Sequence, residues 1–178
     1  RQLLAEKKGG YLSLQLESLT PEMARILSSY DGRVNLYKLQ TLSDECFDIL
    51  IESDLKRPQY QRMIRNLRSL TPHQASVLSE HLDEDEFNHI LLNLDAIDVP
   101  LARWLIENRE YIDCPGADVD QEVVKILAGH KGGLDFHELD WRNISPEFAS
   151  ALSGFQGNLS FSWDVTQLPN EAELIFAT

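Results

Sequence analysis

Four side chains able to hold a metal or move a proton, His130, Asp135, His137 and Glu138, fall within nine residues of the sequence. Imidazole and carboxylate groups are ordinary ligands for first-row metals, yet their spacing matches no zinc pattern. Along an extended segment, alternation sends Glu138 to the opposite face from Asp135 and His137. These residues therefore read as solvated strand positions, and no metal is expected. A second pairing, Cys114 with His137 on what read as adjacent strands, has the types for a thiolate and imidazole couple. Cys114 shares the inward phase of Ile112 while His137 points outward, which separates them. Cys46 sits on the buried side of a short helix as a small hydrophobe. Two cysteines are too few for a disulfide scaffold, and a bridge between them would have to cross three repeats, beyond the roughly 7 Å reach between Cα atoms. No glycine-rich phosphate loop, nucleophile elbow or paired acid and base is present. The chain reads as no enzyme, with no catalytic residue, no cofactor and no small-molecule substrate.

Charge gives a more useful signal. From Lys56 to Arg68 there are five basic residues, Lys56, Arg57, Arg62, Arg65 and Arg68, and no acidic one. In a chain of net charge −13, such a run suits docking of an acidic partner. The plainer alternative pairs these cations with the following "EHLDEDE" run as surface salt bridges, each worth little. The overall negative charge repels phosphate backbones and anionic headgroups, so nucleic acid is not expected as a partner. No run of 18 or more apolar residues exists, and membrane insertion is not expected either. The "NIS" at Asn143 and "NLS" at Asn158 would matter only in a secretory pathway. Nothing else argues for secretion, and the compartment stays open, with a soluble, cytoplasmic setting the simplest.

What positions these residues is a repeat. Short segments of the form apolar, Ser/Thr, x, Glu, x, Ala, x, x, Leu start at Leu19, Leu42, Leu70, Ile97, Val119 and Ile144, with a degenerate copy, "LPNEAELIF", at Leu168. The starts are 23, 28, 27, 22, 25 and 24 residues apart. Thr20, Ser43, Thr71, Asp98, Asp120 and Ser145 stand where an N-cap oxygen accepts from free backbone N–H groups. Pro21, Pro72 and Pro146 follow at the first helical position. Glu22, Glu45, Glu122 and Glu147 suit the positive end of the helix dipole.

Helices this short need a partner, and the segment before each alternates like a strand. "YLSLQL" places Leu12, Leu14 and Leu16 inside and Ser13 and Gln15 outside. "RVNLYKL" does the same with Val34 and Leu36 against Asn35 and Tyr37. "LDFHELDW" and "NLSFSWDV" repeat it, and "EYIDCPG" more weakly with Ile112 and Cys114. Gly10, Gly32, Gly133 and Gly157 precede the clearest strands, where glycine turns the chain without steric cost. Trp104, Trp141, Phe161 and Trp163 fall at apolar phases and read as core.

A unit of 22 to 28 residues built from a leucine-spaced strand and a short helix resembles the leucine-rich repeat superfamily. "L-x-L-x-x-L-x-x-L-S/T-x-E-x-A-x-x-L" is similar to an irregular variant of large bacterial repeat proteins, and it lacks the asparagine that normally follows the strand. The resemblance implies an α/β solenoid of about seven strand-plus-helix repeats, with a parallel sheet on one face. The repeats run approximately 9–31, 32–54, 55–83, 84–109, 110–131, 132–156 and 157–178, in a single repeat domain over 1–178. Residues 1–8 read as the tail of a preceding repeat, and "LPNEAELIFAT" as a closing cap. In the centre, "YQRMIRNL" and "FNHILLNL" are read as strands in phase with the others, although residues 55–110 would also suit a mainly helical stretch.

The outward strand positions then form a ladder of Ser13, Gln15, Asn35, Tyr37, Arg65, Asp113, Asp135, His137, Ser160 and Ser162. A polar, varied ladder suits recognition, and Tyr37 with Arg65 is its expected energetic centre, since Tyr and Arg dominate interface hot spots. The expected function is a protein-binding module within a larger protein. The alternative is a structural spacer whose activity lies elsewhere in that protein.

Overall fold

A computed structural model describes residues 10–57, 62–115, 119–136 and 145–161. In chain order these form β1 (Tyr11–Ser13), α1 (Pro21–Ser28), β2 (Arg33–Asn35), α2 (Asp44–Leu55), a 3-10 turn (Met63–Asn66), α3 (Pro72–His81) and α4 (Glu84–Leu91), then α5 (Val99–Asn108), β3 (Tyr111–Cys114), α6 (Gln121–Leu127), β4 (Gly133–Phe136), α7 (Pro146–Leu152) and β5 (Asn158–Phe161). The fold is mixed α/β with small parallel sheets.

Six helices begin where the sequence supplies a cap. Thr20, Ser43, Asp98, Asp120 and Ser145 each accept from a backbone N–H of the first turn, at 2.7 to 3.3 Å. Thr71 goes further. Its hydroxyl accepts from the Gln74 N–H at 3.2 Å while the Gln74 amide oxygen accepts from the Thr71 N–H at 3.3 Å, a reciprocal capping box.

The chain divides into two compact units, Arg1–Asp83 and Glu84–Thr178. In the first, β1 and β2 pair in parallel with Leu12 opposite Val34 and Ser13 opposite Asn35. Their inward residues meet Ala24 and Leu27 of α1 and Cys46 and Leu50 of α2 in one apolar cluster that also takes Leu36, Leu39 and Met63. Full burial of one such side chain contributes about 1.5–3 kcal/mol, so a strand of three residues holds its place through its neighbours. In the second unit, β3, β4 and β5 form a parallel sheet with Ile112, Leu134 and Leu159 in register. Helices α5, α6 and α7 pack side by side in sequence order. The Phe136 ring packs edge-on to Phe148 at 5.5 Å and stacks on Phe161 at 5.9 Å.

The centre departs from the expected strands. Phe87, Ile90, Leu91 and Leu94 are all buried, and their spacing of three, four and seven is the helical period, not alternation. "FNHILLNL" accordingly lies largely in α4. In "YQRMIRNL", Met63, Ile64 and Leu67 are buried, and residues 63–66 form the 3-10 turn. Among the described residues the strands number five, divided between a two-stranded and a three-stranded sheet, where about seven in one sheet were expected. The copy at Leu168 and the tail at 1–8 lie outside the described residues.

The glycines before the strands serve close approach and not an unusual backbone angle. None of Gly32, Gly132 and Gly157 takes a left-handed φ. A Cβ on each would instead collide with the carbonyl oxygen of Gly10, Glu110 and Gly132 respectively. Those same carbonyls accept the first strand N–H, from Arg33 at 3.1 Å, Gly133 at 2.8 Å and Asn158 at 3.2 Å. An aromatic ring two residues before each glycine, Tyr30, His130 or Phe155, lies over it. Gly132, and not Gly133, is therefore the counterpart of Gly32. A Cβ on Gly133 would strike the ring of Tyr111.

Candidate functional site

Of the outward ladder, Ser13, Asn35, Asp113, Asp135 and Ser160 lie on strands, whereas Arg65, expected on a strand, lies in the 3-10 turn because Met63, Ile64 and Leu67 are all buried there. In the second unit Asp113, Asp135 and Ser160 stand side by side across three strands. In the first, Ser13 stands beside Asn35. A tyrosine at the start of each sheet reaches across to the next strand. The Asn35 amide donates to the Tyr11 hydroxyl at 3.0 Å, and the Tyr111 hydroxyl donates to Asp135 Oδ2 at 3.1 Å. Both partners are 24 residues apart, so the two sheets repeat one side-chain geometry. Desolvation first, then the negative charge of Asp135 and its hydrogen bond, push the Tyr111 phenol up to about 12. It stays a donor across the ordinary pH range.

Gln15 and Tyr37 are exposed and lie just beyond their strands. His137 and Ser162 lie outside the described residues, as do Glu138, Trp141, Asn143 and Trp163. Cys114 is fully buried, and burial pushes its thiol well up, the opposite of an activated nucleophile. Cys46 is buried, and its Sγ lies 3.3 Å from the Leu19 carbonyl. Among the described residues no group of three or more His, Cys, Asp or Glu is placed to hold a metal.

The basic run is split by the fold. Arg57 is drawn inward, its guanidinium 3.2 Å from Asp54 Oδ1 and 3.4 Å from the Leu27 carbonyl. Lys56 reaches Glu52 at 3.5 Å on the exposed side of α2. Arg68 is exposed beyond the 3-10 turn. Arg62 and Arg65 turn toward the sheet. With Arg33, Asn35, Asn66 and Tyr11 they line a cleft of about 360 Å³, so the structure brings together the ladder residues Asn35 and Arg65. Tyr37 does not line it; the phenol beside these arginines is that of Tyr11.

The turn that carries Arg62 and Arg65 hangs on Asp54, which sequence reasoning passed over. Asp54 is fully buried near the end of α2. Its carboxylate accepts from the Met63 N–H at 3.0 Å and the Ile64 N–H at 3.2 Å, besides Arg57. Burial pushes this carboxyl above its ordinary range, against the pull of those donors and of the Arg57 charge. Gln74 is a second such buried tie, donating to the Leu42 carbonyl at 2.9 Å and to Asp44 at 3.0 Å.

A larger cleft, about 830 Å³, lies at the amino ends of β3, β4 and β5. Some of its polar groups help hold the fold together. Arg109 lies over the Phe87 ring at 4.5 Å and 3.7 Å from Glu84, a cation–π contact added to an ion pair. His130 Nε2 donates to the Glu110 carbonyl at 3.2 Å, as the Tyr30 hydroxyl does to the Gly10 carbonyl at 3.0 Å.

Comparison of the chain with protein-family models, with characterised proteins and with solved structures found no match.

Proposed function

We propose that this chain is a protein-binding repeat module, a solenoid of leucine-rich-repeat type that recognises a partner through the outward face of its short parallel strands. One observation carries the reading. Across β3, β4 and β5 the inward position is Ile112, Leu134 and Leu159, nearly constant in chemistry, while the outward neighbours are Asp113, Asp135 and Ser160. The same contrast holds between Leu12 with Val34 and Ser13 with Asn35. A constant core under a changing surface lets the face vary without disturbing the fold, as recognition requires.

Affinity capture from source lysate tests this, with the chain as bait beside a variant carrying Tyr37→Ala, Arg65→Glu and Asp135→Lys. All three side chains lie outside the core, so the variant is expected to keep its far-ultraviolet circular dichroism. A protein retained by the first bait and lost by the second is the expected result. Equal retention would move the function to a spacer whose activity lies elsewhere in a longer polypeptide.

A further inference from the structure

We infer that the cleft on the outward side of β1 and β2 binds a phosphomonoester on a partner's peptide segment, an inference that deepens the recognition reading and rests on it. Three arginines, Arg33, Arg62 and Arg65, line this cleft together with Asn35, Asn66, Val34 and Tyr11, and among the described residues no Asp or Glu lines it. That is a local inversion of the chain's charge of −13.

The convergence follows from the backbone. Arg33 opens β2, while Arg62 caps the 3-10 turn and Arg65 lies within it. Arg62 stands just before the turn in extended backbone, and it lines the same cleft as Arg65. Asp54 fixes the turn by accepting two of its N–H groups. The Tyr11 hydroxyl accepts from Asn35, which keeps its own proton available for an anion.

Charge and donor number select the anion. A carboxylate brings one negative charge and two oxygens, whereas a phosphomonoester brings a charge of about −1.5 to −2 and three strong acceptor oxygens. Three planar guanidiniums, each with five N–H donors, match the second better. The rest of the molecule selects the carrier. An anionic membrane or a nucleic acid presents an extended array of negative charge to a strongly acidic protein and is repelled. A single phosphorylated side chain on an otherwise neutral peptide meets the cleft alone.

The test is a heteronuclear NMR titration of the full chain with a short neutral peptide containing phosphoserine, with its serine and glutamate versions, and with vesicles containing a phosphoinositide. The phosphopeptide is expected to shift the backbone amides of residues 33–35 and 62–66 at up to millimolar concentration. The glutamate version is expected to bind at least about tenfold more weakly, and the serine version to cause no shift. Arg33→Gln and Arg65→Gln are each expected to weaken binding about tenfold, with Arg65→Lys intermediate because it keeps the charge and loses the fork. The peptide series on the unmodified chain stands even where a variant folds poorly. Shifts of equal size with glutamate, no shift at these residues, or binding to vesicles but not to the peptide would each overturn the inference. A captured partner that stays bound after phosphatase treatment would also overturn it while leaving the recognition reading intact.

Discussion

Replacing Asp54 by alanine is expected to cost the first unit about 3 kcal/mol of folding stability. The Met63 and Ile64 N–H groups lose their acceptor at a buried site, and an unsatisfied buried donor costs about 1–3 kcal/mol. Arg57, whose side chain is only 9 % exposed, loses its carboxylate. Breaking a buried pair from one side generally costs about 3–5 kcal/mol. Arg57 keeps its contact with the Leu27 carbonyl, and the variant no longer desolvates a charge. The lower end of that range therefore applies. Urea unfolding at neutral pH, with the slope checked for constancy, measures the loss. Burial holds the folded carboxyl above the unfolded value of 3.8. Protons therefore bind the folded state preferentially, so the wild-type advantage over the alanine variant is largest below 3.8 and shrinks as pH rises through the folded value. A loss under about 1 kcal/mol would show that the 3-10 turn does not depend on Asp54 and would refute the reasoning.

Three further outcomes are expected. Gly157→Ala should destabilise by about 1–3 kcal/mol, since its Cβ would meet the Gly132 carbonyl and the Phe155 ring. Gly154→Ala, where a Cβ meets nothing within 4 Å, should stabilise by about 0.4–1 kcal/mol; thermal unfolding of the pair would show opposite shifts, and shifts of the same sign would contradict the seam geometry. His73, 2.7 Å from Asp48, is held above its ordinary value of 6.5 first by that hydrogen bond and then by the charges of Asp48 and Asp44. Its raised value makes the contribution fully present below 6.5 and lost as pH rises through the folded value. The melting temperatures of wild type and His73→Gln should therefore differ at pH 5 and converge by pH 9, and a constant gap would contradict the assignment.

Helix starts were legible because their signal is local: a cap oxygen and a proline act within four residues. The strand from Gly133 was legible because its two faces differ sharply in polarity, and the one from Tyr111 only weakly so. The centre was not, since Phe87, Ile90, Leu91 and Leu94 share one face only at helical spacing, and Asn88, which reads as a surface residue, is buried with them. The cleft was half legible. Arg62 and Arg65 stood out in a run of cations, but Arg33 lies almost thirty residues earlier on β2 and joins them only in the folded cleft, which no local pattern carries. Asp54 left one trace, an acidic residue near a helix carboxyl end, where the dipole disfavours it. A charge so placed points to a specific partner.

The carbonyl and glycine contact at the starts of β2, β4 and β5 also acts as a reading frame for chain length. Helix starts are separated by anything from 22 to 28 residues, yet at three strand starts the aromatic residue, the glycine and the accepting carbonyl keep one arrangement. One residue inserted between Tyr30 and Arg33 would set the ring against the wrong carbonyl and turn Val34 outward. The same residue inserted between Glu17 and Ser18, both exposed in the link before the Thr20 cap, would only lengthen a loop, at a few tenths of a kcal/mol or less. Tolerance to insertion should therefore be periodic along this chain, high in the links before the caps and low at the aromatic and glycine seams.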